Sequence, residues 1–253
     1  MRGPLLLCLA LFVVGCGDQP TLKAVLERGT LIVGTEPEFP PFESKNEKGE
    51  IVGFDVDMAR ELAKDLGVRL KIEEMPFETL PTALRGGQID LIVSGMSAKP
   101  ERAKTVSFSD IYYETVLCLL IHTGSGIEKA ADADGKRIAV KTGTTGADVA
   151  KVRFPKATLI PFPTEGACAL EVATGRADAF LYDRHSILRH HKNTPDTTRV
   201  IDEPLNAEPY AMACRLGDTE FVERLNTFLR AFRADGRYAK FYEQHFGEPP
   251  PAR

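Results

Sequence analysis

The fold is decided by two stretches of sequence, "TALRGGQIDLIVSGM" (82–96) and "LEVATGRADAFLYDR" (170–184). Both follow the same order: a helix-forming run, a glycine, two further residues, an aspartate and an apolar strand. Helices that alternate with strands are typical of an α/β fold. Because G-x-x-D turns are common in such proteins, these two stretches alone do not establish a repeated unit, and the rest of the chain has to show the same repeat.

A similar strand precedes each of these stretches. These strands are "GTLIVGTE" (29–36) and "GKRIAVKTG" (135–143), and in both the apolar residues give way to a polar loop. The segment "GFDVDMARELAKDLG" (53–67) adds an amphipathic helix, whose apolar face is formed by Val56, Met58, Ala59, Leu62, Ala63 and Leu66. Since the beginning and the end of the unit recur in the same order, the sequence predicts two similar α/β lobes.

Four strand ends carry polar residues. The first lobe offers residues 35–39 ("TEPEF") and 94–97 ("SGMS"), and the second offers 141–145 ("KTGTT") and 182–184 ("YDR"). In open α/β sheets, ligands bind beyond the carboxyl ends of the strands. If the two lobes face each other, these loops meet at one cleft, and the sequence predicts a binding site there.

The composition narrows the class of partner. The chain has 253 residues, of which 43% are hydrophobic and 27% charged, and this suits one large domain or two smaller ones. A net charge of -4 and a pI near 5.8 argue against nucleic acid or an anionic membrane surface as a partner.

The N-terminal residues indicate export. Arg2 is followed by the apolar run "LLLCLALFVV" (5–14), which is too short to span a bilayer but suits a signal peptide. The small residues before Cys16 resemble a bacterial lipobox. We expect residues 1–15 to be a signal peptide of the lipoprotein type, with Cys16 as the lipidated first mature residue. The mature protein would then be periplasmic or at the cell surface, touching the membrane through its lipid anchor; an ordinary signal peptide is the alternative.

The remaining cysteines suggest neither a metal site nor a cofactor. Cys118, Cys168 and Cys214 have no CxxC or histidine-paired spacing. A disulfide between Cys118 and Cys214 is open to the chain in an oxidising compartment, but free buried thiols are the expected state.

Several motifs together resemble one protein family. The segment "GFDVDMARELAKDL" (53–66) resembles the signature of the bacterial family 3 extracellular solute-binding proteins, which serve ABC importers of polar amino acids. Further segments resemble that family in the expected order: "GTEPEFPPFE" (34–43), "DLIVSGMSAKPERAKTVSFSDIYYE" (90–114), "AVKTGTTG" (139–146) and "RADGRYAKFYEQHFG" (233–247). The resemblance covers the chain from about residue 20 onward.

The resemblance implies a two-lobe periplasmic binding protein fold (type II), with two hinge crossings and the ligand in the interlobe cleft. Lobe 1 would comprise residues 20–113 and 211–250, lobe 2 residues 118–206, and the hinge strands residues 114–117 and 207–210. It also implies a monomeric binding protein, not an enzyme, that closes on a free L-amino acid. The partner would be the membrane permease of an ABC transporter.

The resemblance assigns the carboxylate end of the ligand. Arg102 matches the arginine that clamps the α-carboxylate, and a planar guanidinium suits that role because it binds a carboxylate through two parallel hydrogen bonds. Ser97 and the backbone of Gly95 would complete this subsite. Thr145 and Thr144 would donate to the carboxylate from the second lobe.

The ammonium end and the aliphatic stem are assigned in the same way. Asp183 matches the aspartate that holds the α-ammonium, and Ser94 would present its hydroxyl or carbonyl to that end. Phe39 and Phe77 match the aromatic residues that enclose the stem of the ligand.

The ligand side chain would meet Glu36, Lys141 and Tyr182. Glu36 favours a cationic or an amide side chain. Lys141 resembles the glutamine-binding pattern and disfavours a second positive charge unless Glu36 pairs with it. Glutamine, arginine, lysine and histidine therefore all stay open.

An enzyme on the same scaffold is the alternative hypothesis. Cyclohexadienyl or arogenate dehydratases resemble this family and need an acid for proton transfer to a leaving hydroxyl, a role for Glu36 or Glu38. The loop "KTGTTGAD" (141–148) departs from the "NPGGTNE" type of those enzymes. A binding protein is therefore the main hypothesis.

Overall fold

The computed structural model describes residues 21–251 and forms two five-stranded mixed sheets with helices on both sides. This confirms the predicted α/β fold class. The predicted signal peptide (1–15) and Cys16 lie outside the described residues. Within the described part of the chain, every helix is too short or too polar to cross a bilayer.

The elements alternate along the chain as the periodicity predicts. The strands are β1 (Thr30–Thr35), β2 (Glu38–Phe39), β3 (Glu43–Lys45), β4 (Ile51–Val52), β5 (Arg69–Glu74), β6 (Leu91–Ile92), β7 (Val106–Phe108), β8 (Tyr113–His122), β9 (Arg137–Lys141), β10 (Thr158–Phe162), β11 (Ala179–Asp183), β12 (Thr198–Tyr210) and β13 (Ala213–Arg215). The helices are α1 (Thr21–Arg28), α2 (Phe54–Asp65), α3 (Leu80–Arg85), α4 (Pro100–Ala103), α5 (Thr145–Arg153), α6 (Glu165–Ala173), α7 (Arg184–Asn193), α8 (Thr219–Ala234) and α9 (Arg237–Phe246).

The first sheet has the strand order β5-β1-β6-β13-β7 and combines distant parts of the chain. Its strand β1 is parallel to both β5 and β6. Strand β13 comes from the C-terminal part and lies antiparallel between β6 and β7. The second sheet, in the order β10-β9-β11-β8-β12, is built from one continuous segment.

The chain passes from the first sheet to the second between β7 and β8, and it returns between β12 and β13. Strands β8 and β12 pair antiparallel at this crossing, from Tyr113 opposite Tyr210 to Leu117 opposite Asn206. The register then shifts between Asn206 and Ile201. The segments that the resemblance assigns to the hinge lie in this paired region.

The aspartate of each G-x-x-D turn plays the same part in its sheet. Asp90 accepts the backbone N–H of Ile32 on Oδ2 at 2.8 Å and donates its own N–H to the carbonyl of Ile32 at 2.8 Å. Asp178 makes the same two contacts with the backbone of Arg137, both at 2.8 Å. Each carboxylate thus takes the place of a strand carbonyl just before its strand, β6 from Leu91 and β11 from Ala179.

Helix α2 buries the apolar face that its periodicity predicts. Val56, Met58, Ala59, Leu62 and Ala63 are buried, and Leu66, just beyond the helix, is half-buried. The helix begins after Gly53, whose φ is 139°. A Cβ at that position would lie 2.1 Å from the carbonyl oxygen of Phe42, so glycine permits the close approach of these two backbone segments.

The three cysteines in the described residues are free and buried. A disulfide between Cys118 and Cys214 is therefore not formed. Burial raises the pKa of each thiol, that of Cys168 included, to about 12. These side chains act as small apolar core residues.

Candidate functional site

One cavity with about 320 Å³ of empty space is lined from both sheets. This figure includes solvent at the open mouth of the cavity, and its walls leave room for about one water molecule between them. The cavity brings together all twelve residues that the sequence analysis singled out: Glu36, Phe39, Phe77, Ser94, Gly95, Ser97, Arg102, Lys141, Thr144, Thr145, Tyr182 and Asp183. Glu43 lines it as well. The other candidate acid, Glu38, is exposed and is not among these lining residues.

Arg102 joins the two sides of the cavity. Its Nη1 donates to the carbonyl of Ser97 at 3.1 Å, and its Nη2 donates across the cleft to the carbonyl of Gly143 at 3.2 Å. The guanidinium lies over the ring of Phe77, 5.2 Å from the ring centre, where cation–π attraction holds its plane. A guanidinium has five N–H donors, so further donors are free to bind an anionic group.

Asp183 supplies a buried carboxyl group at the end of β11. Its Oδ1 accepts a hydrogen bond from the hydroxyl of Tyr210 at 2.5 Å. Burial raises the pKa of Asp183 to about 7, and the bond from Tyr210 opposes this shift. A cation beside it would favour the ionised form.

Glu36 and Lys141 form an ion pair across the cleft. The side chain of Lys141 is 1% exposed and that of Glu36 is 10% exposed, so the pair is almost fully withdrawn from water. Glu36 also accepts the backbone N–H of Phe77 at 3.3 Å. Burial raises the pKa of Glu36, while Lys141 counteracts the shift.

Glu43 is a site residue that the sequence analysis missed. It is 1% exposed, and its Oε1 accepts a hydrogen bond from Ser94 Oγ at 2.7 Å. Ser94 Oγ in turn accepts the backbone N–H of Glu36 at 3.1 Å. Burial, and then the neighbouring Asp55, raise the pKa of Glu43 well above its usual value. The signal in the sequence was an acid directly after the apolar run "FPPF" (39–42).

The two threonines before and at the start of α5 use their hydroxyl groups within the protein. Thr144 Oγ1 donates to the carbonyl of Lys141 at 2.8 Å, and Thr145 Oγ1 donates to Glu208 Oε2 at 2.8 Å. The first N–H groups of a helix have no partner within the helix and favour anions. The donors that the start of α5 has left for a ligand are therefore the backbone N–H groups of its first residues.

Aromatic rings close the remaining wall. Phe39 is 5% exposed and packs edge-on against Tyr182, with 5.8 Å between ring centres. Gly95 has a φ of 51°, and a Cβ there would lie 2.5 Å from the ring of Phe39. The absence of a side chain at Gly95 thus leaves room for this ring.

The family model of the bacterial extracellular solute-binding proteins, family 3, matches residues 31–248. The chain belongs to this family. The resemblance inferred from the sequence motifs is thereby confirmed, and family members work outside the cytoplasm.

Curated relatives in the family are amino acid-binding proteins of ABC transporters. The chain is 30% identical over 245 residues to the arginine-binding extracellular protein of Bacillus subtilis, covering 94% of each chain. It is 29% identical over 237 residues to the ABC transporter glutamine-binding protein of Bacillus subtilis, covering 92% of this chain and 86% of that one.

A solved structure that is similar to this chain connects binding proteins with an enzyme. It is an ancestral amino acid-binding protein described as a precursor of cyclohexadienyl dehydratase. The two chains are 35% identical, with a TM-score of 0.82 and coverage of 89% of this chain and 99% of that one.

Proposed function

We propose that this protein is the extracytoplasmic amino acid-binding component of an ABC importer. The observation that carries the proposal is a half-buried cation, Arg102, and a buried carboxyl group, Asp183, on the walls of one small cavity. An α-amino acid is a zwitterion and needs both partners. These two contacts bind the α-carboxylate and the α-ammonium, so they do not require the side chain of the ligand to carry a charge.

Each end of the zwitterion has a partner. The guanidinium of Arg102 binds the α-carboxylate through its free N–H donors, and the first amides of α5 add to it from the other side. Asp183 receives the α-ammonium. The ligand joins the two sheets in this way, and rotation about residues 114–117 and 207–210 opens and closes the cleft.

We propose a neutral amide side chain, that of glutamine, as the preferred ligand. Lys141 already has its counter-charge in Glu36, and Glu43 has a raised pKa that keeps it from supplying another. A second cation beside this pair would meet both charges, so its attraction to Glu36 is opposed by repulsion from Lys141, which is about 4 kcal/mol at 4 Å and an effective dielectric constant of 20. A side-chain amide needs no unpaired counter-charge, because it can accept from Lys141 and donate to Glu36.

Isothermal titration calorimetry against all twenty amino acids tests the ligand class. Glutamine should bind more tightly than arginine, lysine or histidine. A ligand at 100 times its Kd should also raise the free energy of unfolding by about 2.7 kcal/mol. Tighter binding of arginine than of glutamine would contradict the charge argument but not the binding of an amino acid.

Replacing the central cation tests the site itself. Arg102→Ala should abolish amino acid binding while circular dichroism stays unchanged, because the carboxylate loses its charged partner. Arg102→Lys should weaken binding strongly, since an ammonium lacks the planar fork. The control is Arg85→Ala on the exposed side of α3, which should bind as the wild type does. Wild-type affinity in Arg102→Ala would overturn the site.

We propose that the protein binds its ligand without chemical change. Glu36, the candidate acid in the cavity, is held by Lys141, and Glu38 is exposed. Dehydration of prephenate or arogenate by the purified protein would favour the enzyme instead.

We also propose that Cys16 is lipidated and that the monomeric protein delivers its ligand to a membrane permease. The lipobox-like "VVGC" (13–16) and the family's location support this. Membrane fractionation of the wild type and of Cys16→Ser tests the anchor.

A further inference from the structure

Glu208 is a buried acidic residue that does not line the ligand cavity, so contact with the ligand does not explain why it is there. It lies near the end of β12, and its side chain is 0% exposed. A buried carboxylate is costly unless several donors compensate it. Its Oε2 accepts from Thr145 Oγ1 at 2.8 Å, while its Oε1 accepts from Asn206 Nδ2 at 2.8 Å and lies 3.2 Å from Lys99 Nζ.

These donors come from both sides of the cleft. Lys99 lies between β6 and β7 of the first sheet, whereas Thr145 begins α5 and follows β9 of the second. Lys99 also donates to the carbonyl of Ala207. The carboxylate of Glu208 therefore connects a residue of one side with a residue of the other.

The backbone around Glu208 is tied to the first sheet. The N–H of Ala98 donates to the carbonyl of Pro209 at 2.7 Å, and the N–H of Ala211 donates to the carbonyl of Met96 at 3.0 Å. Glu208 thus lies where the chain returns from the second sheet to the first. Any rotation about this point changes the distance from the carboxylate to Lys99 or to Thr145.

We propose that Glu208 is a positioning residue that latches the two sides of the cleft in the ligand-binding arrangement, an inference that rests on the proposed function. By holding Thr145, it fixes the first amides of α5 beside the cavity and opposite Arg102. By binding Lys99, it connects that helix to the first sheet. The latch acts on the lifetime of the closed complex, because its hydrogen bonds must break before the ligand leaves.

The first test is Glu208→Gln, which keeps the shape and removes the charge. Stopped-flow and calorimetry with glutamine, or with the tightest of the twenty amino acids, should show about a tenfold faster dissociation, equivalent to about 1.4 kcal/mol. The association rate should stay within about twofold, because the open protein lacks the latch. The matched control is Glu220→Gln, an exposed glutamate at the start of α8 and outside the hinge segments, which should leave both rates unchanged.

A second variant tests the same hydrogen bond from its other partner, so the test does not depend on the folding of Glu208→Gln. Thr145→Val removes the hydroxyl at the surface of the helix start and should also speed dissociation. If the two residues act through one hydrogen bond, the double variant should dissociate no faster than the worse single variant.

The outcomes separate the latch from the proposed function. A wild-type protein that binds no amino acid overturns both. A wild type that binds, together with a Glu208→Gln variant that dissociates within twofold of it, overturns the latch alone. An effect carried by the association rate, an equal effect in Glu220→Gln, or strictly additive effects of Glu208→Gln and Thr145→Val would overturn it as well.

Discussion

At the scale of single residues, the site depends on carboxyl groups that are buried before any ligand compensates them. Asp183 is the clearest case, because burial raises its pKa from 3.8 to about 7. An acid with a raised pKa in the folded state takes up a proton on folding, so its contribution to stability is lost as the pH rises from about 4 to about 7. This loss of stability accompanies the placement of a carboxyl group where it can bind the α-ammonium of the ligand.

Asp183→Asn should reveal this cost in the ligand-free protein. Asparagine resembles the protonated acid, so the two proteins should have similar stability near pH 4. As the pH rises to about 7, the free energy of unfolding of the variant should increase relative to that of the wild type, by at most about 4 kcal/mol for this pKa shift. Urea unfolding between pH 4 and pH 8 measures it, with Asp148→Asn on exposed α5 surface as the control. A stability difference that does not vary with pH would contradict the assignment.

At the scale of elements, the turn between β9 and α5 brings the two sides of the cleft together. Gly143 in this turn has a φ of 76°, and its carbonyl accepts from Arg102. A Cβ there would lie 2.7 Å from Cβ of Glu78, which follows β5 in the first half of the chain. The turn therefore needs glycine for two reasons, its backbone conformation and the close approach of Glu78.

Gly143→Ala should weaken ligand binding by about tenfold or more, or about 1.4 kcal/mol, because the added methyl group holds the two sides apart. Gly135→Ala is the matched control: Gly135 also has a positive φ, of 87°, but a Cβ there would meet nothing within 4 Å. Calorimetry and thermal unfolding compare the two variants. Equal losses of affinity in both would mean that backbone strain, not the contact across the cleft, sets the effect.

The sequence predicted those parts of the molecule that depend on local pattern. The helix face of α2 and the four polar strand ends follow from periodicity, whereas the twelve ligand-binding candidates that line the cavity came from the family resemblance. Glu43 and Glu208 were missed because their roles come from partners far away in the chain, Ser94 and Thr145. The position of β13 between β6 and β7 likewise depends on pairing between distant segments, which no local pattern encodes.

At the scale of the whole molecule, the two sheets differ in how the chain builds them. The second sheet uses the continuous segment from β9 to β12 together with β8, whereas the first is incomplete until β13 is added. A fragment of residues 109–212 should therefore unfold cooperatively on its own. A fragment of residues 21–108 should not, because β7 lacks the strand that joins it to the sheet. Circular dichroism melts of both fragments check this, and a cooperative melt of 21–108 would contradict it.

The buried ion pair between Glu36 and Lys141 has a consequence for the surroundings in which the protein works. Outside the cytoplasm, the ionic strength is that of the medium and changes with it. Salt screens exposed charges over about 8 Å at 0.15 M, but it acts much less on pairs that water does not reach. Since Lys141 is 1% exposed, the charges that select the ligand are shielded from these changes. The choice of ligand should thus be the same in dilute and in saline water.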